Sequence, residues 1–372
     1  MTSIIYVGMD VHTTNYTLCC YSMEDDRFFA EVQVEPDAKN ILKYLARIEK
    51  QQSRDCRIVC GYEAGCLGYS LYHQLHAHGI DCVILAPTTM MTKPGKRIKT
   101  DRRDARLISK CLAFHTYSPV YIPTEVDDAV KEYIRMRDDA NSALARVKQQ
   151  IIAFCIRHGK IHDGKSYWTN KHLEWLSSLD LGNKILSEVL QEYLIRYYQL
   201  REQVDMYDMH INELAQAEPY RQKVEKLGCF RGIAAHTALS FCVEVGDFRR
   251  FATAQQFASY LGLVPGECSS GDKQQYTGIT KAGNSHLRKL LVETAQVFGR
   301  SATKSGKSVA LKERQAKCDS LTVAYADKAN ARLKKKYFKI AMRSKVNIAK
   351  TAVAREMACF IWGMMTDNIS CA

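Results

Sequence analysis

Lys99-Thr100-Asp101-Arg102-Arg103-Asp104-Ala105-Arg106 is the stretch on which the reading of this chain turns. Two carboxylates three residues apart share one face of a helix. An apolar-periodic run follows through Ala105, Leu107, Ile108, Cys111 and Leu112, so the stretch forms the first turns of a helix with Thr100 or Asp101 near its cap. Acids there suit the positive end of the helix. By itself this is an ordinary helix start with solvated arginines. With acids supplied from elsewhere it becomes a metal-binding edge facing a phosphate backbone, with Lys99, Arg102, Arg103 and Arg106 holding the nucleic-acid strand.

Upstream, the chain offers those acids. Ile4 to Asp10 is a buried strand that ends on an acid. Residues 15–22 and 27–34 alternate as a β-hairpin around Met23-Glu-Asp-Asp-Arg. A helix is expected over 37–51 from Ile41, Leu42, Leu45 and Ile48, then a short central strand over 57–62 with Glu63 at its end. A helix near 67–78 and a strand over 81–86 complete a mixed sheet with helices on its faces. Asp10, Glu63, Asp101 and Asp104 would then meet at one edge of the sheet, where strand ends form a crevice. Four acids there repel one another unless cations bind. Mg²⁺, which takes oxygen ligands and keeps water and phosphate in its shell, is the expected ion. Two such ions can hold the attacking and leaving oxygens of a phosphodiester.

Downstream, glycine and proline thin out from Glu125 to about Ala217, and helical spacing dominates. Breaks near His158–Lys165 and Leu181-Gly182-Asn183 divide two or three long helices, either a coiled-coil arm or a bundle filling one core. From Tyr220 a third region begins. Leu227 to Ala234 and Ala238 to Val245 form two helices joined by a short glycine turn, whose amides could meet a phosphate or merely close the turn. A polar, glycine-rich loop spans 266–285, helices resume over 286–299, and basic clusters follow at Lys334–Lys336 and Arg343–Lys350.

The totals agree with a polyanionic partner. The chain has 372 residues, enough for more than one domain, and a formal net charge of +13. Its 14 cysteines are scattered, without a Cys-x-x-Cys pair, and no basic leader precedes the first strand, so reduced thiols in a cytoplasmic protein are expected. No apolar run reaches the roughly 18 residues of a membrane span. Met357 to Met365 is instead a packed terminal helix. His73, His76 and His78 resemble a zinc half-site but lack further ligands at matching spacing, so a helix surface is preferred.

Gly8-Met-Asp10-Val-His12, Tyr62-Glu63-Ala-Gly65 and Lys99 to Arg106 together resemble the DEDD transposases of bacterial insertion sequences, a family that includes the Piv-type invertases. Gly246-Asp-Phe-Arg-Arg-Phe, Ala254 to Pro265, Ser269-Ser-Gly271 and Lys281-Ala-Gly-Asn-Ser-His-Leu-Arg288 extend the resemblance nearly to the end of the chain. It departs at Phe230-Arg-Gly-Ile-Ala, where the family often has Pro-Gly-Ile-Gly.

The resemblance implies a RuvC-like, ribonuclease-H-fold domain over 1–124, a long helical coiled-coil middle over 125–217, and a mainly α-helical transposase domain over 218–372. It implies that Ser270, with Ser269 as its rival, is a nucleophile activated by the acidic site of another subunit, and that Lys281 and Arg288 bind nucleic acid. It further implies a structured guide RNA (a bridge or seek RNA) pairing with target and donor DNA, and homodimers assembling to tetramers. Two other functions remain open at this point: a junction nuclease that uses water, and a nucleic-acid-binding regulator without catalysis.

Overall fold

The computed structural model describes residues 3–51, 56–90, 100–267, 275–300 and 306–369. The chain divides into two compact units, Met1–Ile122 and Pro123–Ala372.

The first unit is built on a five-stranded sheet ordered β3-β2-β1-β4-β5. The strands are β1 (Ser3–Val11), β2 (Tyr16–Ser22), β3 (Arg27–Val34), β4 (Cys56–Glu63) and β5 (Asp81–Leu85). β1, β2 and β3 form an antiparallel meander, whereas β4 and β5 join β1 in parallel. The two parallel steps need crossovers, and α1 (Ala38–Gln51) and α2 (Ser70–Ala77) provide them. The expected helix over 67–78 starts at Ser70, because Gly68 takes a left-handed φ of 55° and holds the preceding residues in a turn.

Alternate residues of each strand serve opposite faces of the sheet. Ile5, Val7, Met9, Leu18, Tyr62 and Ile84 share one core with Ile41, Leu45 and Ile48 of α1 and Leu71 and Leu75 of α2. On the other face Tyr6, Tyr21 and Leu85 pack with Ile108, Cys111 and Leu112 of α3 (Asp101–Ala113). The edge strand β3 carries a bulge: between the pairs Leu18–Val32 and Cys20–Phe29, Ala30 and Glu31 stand opposite Cys19 alone.

The second unit is helical. α4 (Glu125–Arg157) and α6 (Lys184–Gln216) each have 33 residues, about 50 Å of helix at 1.5 Å per residue. Side-chain caps start both, from Thr124 and Asn183. Leu144, Val147, Ile151 and Phe154 pack against Leu190, Leu194 and Tyr197, and the short α5 (Asn170–Ser177) closes this core through Leu173 and Leu176. The other ends, Val130, Ile134, Ile211 and Ala215, enter a larger core. That core is formed by α7 (Arg221–Gly228), α8 (Ala235–Val245), α9 (Ala254–Tyr260), α10 (Ser285–Arg300), α12 (Ser320–Ala341) and α13 (Val346–Met365), with α11 (Val309–Gln315) beside α7.

Where a loop was expected over 266–285, Pro265–Glu267 and Tyr276–Ile279 form a two-stranded antiparallel ladder, β6 and β7. Among the described residues no helix is long and apolar enough to cross a membrane. α13 instead buries Val353, Met357, Ile361 and Met364 in the core. Burial pushes the Cys19, Cys82 and Cys229 thiols up to about 12, which leaves them poor nucleophiles.

Candidate active site

Two glycines set the position of the site. Gly8 and Gly61 are register partners on β1 and β4, and both face α3. A Cβ on Gly8 would lie 2.0 Å from the Ala105 carbonyl oxygen and 2.4 Å from the Ser109 nitrogen. A Cβ on Gly61 would lie 2.8 Å from Leu112 Cδ2. The helix backbone therefore rests directly on the sheet at this rung. Two residues further along each strand, on the same face, come Asp10 and Glu63. Met9 pairs with Tyr62, so Asp10 and Glu63 are the next rung. One turn before Ala105 comes Asp101, in the first turn of α3 with Asp104. Thr100 caps that turn by accepting the Arg103 N–H at 3.4 Å.

Asp10, Asp101 and His12 each place one potential ligand atom within 4.8 Å of the other two. His12 Nε2 stands 3.3 Å from Asp10 Oδ2, yet that buried oxygen has no hydrogen-bond partner among the described residues. Burial raises the Asp10 pKa above the usual carboxylate value; the His12 ring opposes the rise, and Asp104 and Asp101 add to it. A buried, orphaned carboxylate oxygen beside further acids is a donor set that fits a divalent cation. The fold thus brings Asp10 and Asp101 together, keeps Asp104 within electrostatic reach, and holds Glu63 exposed on the neighbouring strand end. His12 belongs to the cluster but had no role in the sequence reading. Its signal was present as Asp-x-His at the end of a strand.

The basic residues have more specific partners than expected. Arg102 Nε lies 3.3 Å and Arg106 Nε 2.6 Å from the two oxygens of Glu31, the bulge residue of β3. Arg106 also sits over the Phe28 ring. Arg103 is exposed. Lys99 lies outside the described residues, as do Ser269 and Ser270. Arg288 donates to the carbonyls of Leu261 at 2.9 Å and Ala282 at 3.3 Å, tying the turn after α9 to the loop before α10. Lys281 is exposed in the loop between β7 and α10, with a φ of 55°. In the α7–α8 turn the Arg231 N–H already donates to Asn330 Oδ1 at 2.9 Å. His73 and His76 pack around the Tyr72 ring.

The second unit holds an ionic network that the sequence reading also missed. Asp138 on α4 receives His236 of α8 at 3.0 Å and His286 of α10 at 2.9 Å, one on each oxygen. His286 Nδ1 is 3.5 Å from Glu244 on α8, which also accepts from Asn284 and pairs with Arg135. Burial alone would lower the His286 pKa, but Asp138 and Glu244 outweigh it and hold it up at about 9. Burial alone would raise Glu244, but His286, Arg135 and Asn284 hold it at about 2. Of this network, His286 and Asn284 stood in the quoted Lys281–Arg288 motif. The acidic partners of His286 lie 148 and 42 positions away, and no local pattern joins them.

Comparison with known proteins gives the class of a chain that pairs a carboxylate-edged α/β unit with a long-helical unit. Residues 7–156, which hold all four acids, match the DEDD transposase model of the IS110 type, described as "Transposase", and residues 225–314 match "Transposase IS116/IS110/IS902 family". The chain is 36% identical over 307 residues to "Putative transposase y4qE" of Sinorhizobium fredii, covering 82% of this chain and 75% of that protein. It is 32% identical over 340 residues to "Transposase for insertion sequence element IS1533" of Leptospira borgpetersenii, covering 90% and 95%. It is 26% identical over 268 residues to "Transposase for insertion sequence element IS1111A" of Coxiella burnetii, covering 68% and 71%. The chain belongs to the IS110/IS116 family of DEDD insertion-sequence transposases.

Proposed function

We propose that this transposase cuts and rejoins DNA through a covalent serine–DNA intermediate, with Asp10, Glu63, Asp101 and Asp104 holding Mg²⁺ or a related divalent ion. The observation that carries the reading is the gathering of Asp10, with its buried Oδ2, beside His12 and Asp101 at the start of α3. A bound divalent ion would neutralise phosphate charge and favour the ionised serine. Ser270 is the proposed nucleophile. Its hydroxyl gives up its proton to solvent as its oxygen bonds to phosphorus, the phosphorus–oxygen bond to one strand end breaks, and that strand end leaves with a proton from solvent. Reversal on a second strand end joins the exchanged DNA and frees the serine.

In this reading Lys99, Arg102, Arg103, Arg106, Lys281 and Arg288 bind nucleic acid. A structured guide RNA pairs with target and donor DNA, and the protein reads its shape and backbone. The chain works as a homodimer that assembles to a tetramer. The sheet order β3-β2-β1-β4-β5, antiparallel then parallel, supports a RuvC-like fold for residues 1–124. The long α4–α6 pair supports a coiled-coil role for 125–217, and in this reading 218–372 is the transposase domain with the serine.

The test is covalent trapping. Wild-type protein, element-end DNA and the adjoining noncoding transcript should give a protein–DNA adduct that survives denaturing electrophoresis. Ser270→Ala and Asp101→Asn should each abolish it while DNA binding persists. Full cleavage by Ser270→Ala would mark a water-using nuclease instead. Strand exchange undiminished in Asp101→Asn would remove the acidic site from the chemistry.

A further inference from the structure

We propose that His12 is itself a ligand of the divalent cation at the Asp10 edge, and that its imidazole shifts the site's preference from Mg²⁺ towards first-row transition ions. This rests on the reading of that edge as a cation site. His12 follows the last residue of β1, and its backbone N–H donates to the Asn15 carbonyl at 3.0 Å, which fixes the turn that carries the ring. The ring is 45% exposed on its outer side, while Nε2 turns back to within 3.3 Å of Asp10 Oδ2.

Asp10 Oδ2 is buried, His12 Nε2 faces it at 3.3 Å, and Asp101 offers a third donor atom within 4.8 Å of both. Two donor atoms this near each other have the spacing of adjacent ligands on one ion. Ligands about 2.1 Å from an octahedral ion lie about 3 Å apart when adjacent and about 4.2 Å apart when opposite. The Asp10–His12 separation of 3.3 Å falls near the first value.

The consequence is chemical. Mg²⁺ takes oxygen and gives up water reluctantly, so a nitrogen donor adds little to its binding. First-row transition ions accept imidazole readily, with Mn²⁺ the weakest of the series. A site of Asp10, Asp101 and His12 therefore binds Mn²⁺ more tightly than the same two carboxylates would without the imidazole.

The experiment uses the full chain and Mn²⁺ alone, without nucleic acid. Electron spin-echo spectroscopy of the Mn²⁺-loaded protein should show directly coordinated nitrogen, changed by ¹⁵N-histidine labelling and lost in His12→Gln. Mn²⁺ dissociation constants should rise about tenfold or more in His12→Gln, with Mg²⁺ affinity changing about twofold or less. Thermal unfolding of the metal-free variant, unchanged from wild type, confirms that it folds. Two results overturn the assignment while leaving the acidic site standing: Mn²⁺ binding that needs Asp10 but shows no histidine nitrogen, or a nitrogen signal that survives in His12→Gln. Mn²⁺ binding that is indifferent to Asp10→Asn overturns the acidic site and His12 together.

Discussion

Gly8 meets Ala105 backbone to backbone: a methyl group on the glycine would stand 2.0 Å from the Ala105 carbonyl oxygen. That contact fixes the distance between β1 and α3, and with it the meeting of Asp10 and Asp101. The obstacle to a larger residue is main chain on both sides, the Ala105 oxygen and the Ser109 nitrogen, so no side-chain rotation can relieve it. Gly8→Ala should therefore cost about 3 kcal/mol or more. In whatever population stays folded, α3 must lift away, and Mn²⁺ or Mg²⁺ affinity should fall with stability. Denaturant unfolding and metal titration on the same preparation check both. Undiminished metal binding in a destabilised variant would separate the helix position from the site.

Asp10 gives a prediction of opposite sign for stability and for metal. Its pKa is raised in the folded protein, chiefly by burial, with Asp104 and Asp101 adding repulsion. A carboxyl raised on folding is stabilising while protonated, and that contribution is lost as pH rises through its folded pKa. At neutral pH the metal-free protein thus carries a penalty that a neutral amide removes. Asp10→Asn should raise the metal-free melting temperature and abolish the further rise that divalent ions give the wild type. Thermal scans with and without Mg²⁺ decide it. A lower metal-free melting temperature would show that the carboxylate is already well paired.

The site's rungs were half visible in the sequence. Gly8-x-Asp10 and Gly61-x-Glu63 repeat one pattern, a bare position followed two residues on by an acid, at the ends of two strands that pair in parallel. Period-two alternation places each glycine and acid on one face. The strand ends and the cap of α3 followed from local patterning, because turn residues and apolar spacing are local signals. Glu31 did not. Its place depends on the extra residue in β3, and nothing in Phe28 to Val34 marks where an edge strand will bulge. The Asp138–His286 pair was hidden for a similar reason: three helices distant in sequence have to pack before those charges meet.

Glu31 bears on nucleic-acid binding. Arg102 and Arg106 both spend their Nε groups on its carboxylate, which is 18% exposed. If these arginines contact phosphate, Glu31 competes with the backbone for them. Glu31→Gln should strengthen binding to a duplex oligonucleotide several-fold at low salt. It should also steepen the salt dependence by about one to two phosphate contacts. The measurement is affinity against salt concentration. Weaker binding in the variant would mean instead that Glu31 holds the two guanidinium groups in their binding pose.

His286 ties stability to pH in the helical unit. Its folded pKa of about 9 lies above the ordinary 6.5, because Asp138 and Glu244 outweigh the cost of burying the charged ring. A base raised on folding contributes fully below 6.5 and loses that contribution as pH rises towards 9. Glu244, held at about 2 against an ordinary 4.5, contributes above 4.5 and loses it as pH falls towards 2. These are one interaction seen from its two partners, so the gains are not summed. The alkaline loss is on the order of 3 kcal/mol at most. Stability in denaturant should therefore be greatest between about pH 4.5 and 6.5 and decline on both sides. In His286→Gln the decline between 6.5 and 9 should flatten, because the titrating group is gone, while overall stability drops because Asp138 and Glu244 each lose a cationic partner. An alkaline limb identical to wild type would mean that another group titrates there, and that the imidazolium does not hold α4, α8 and α10 together.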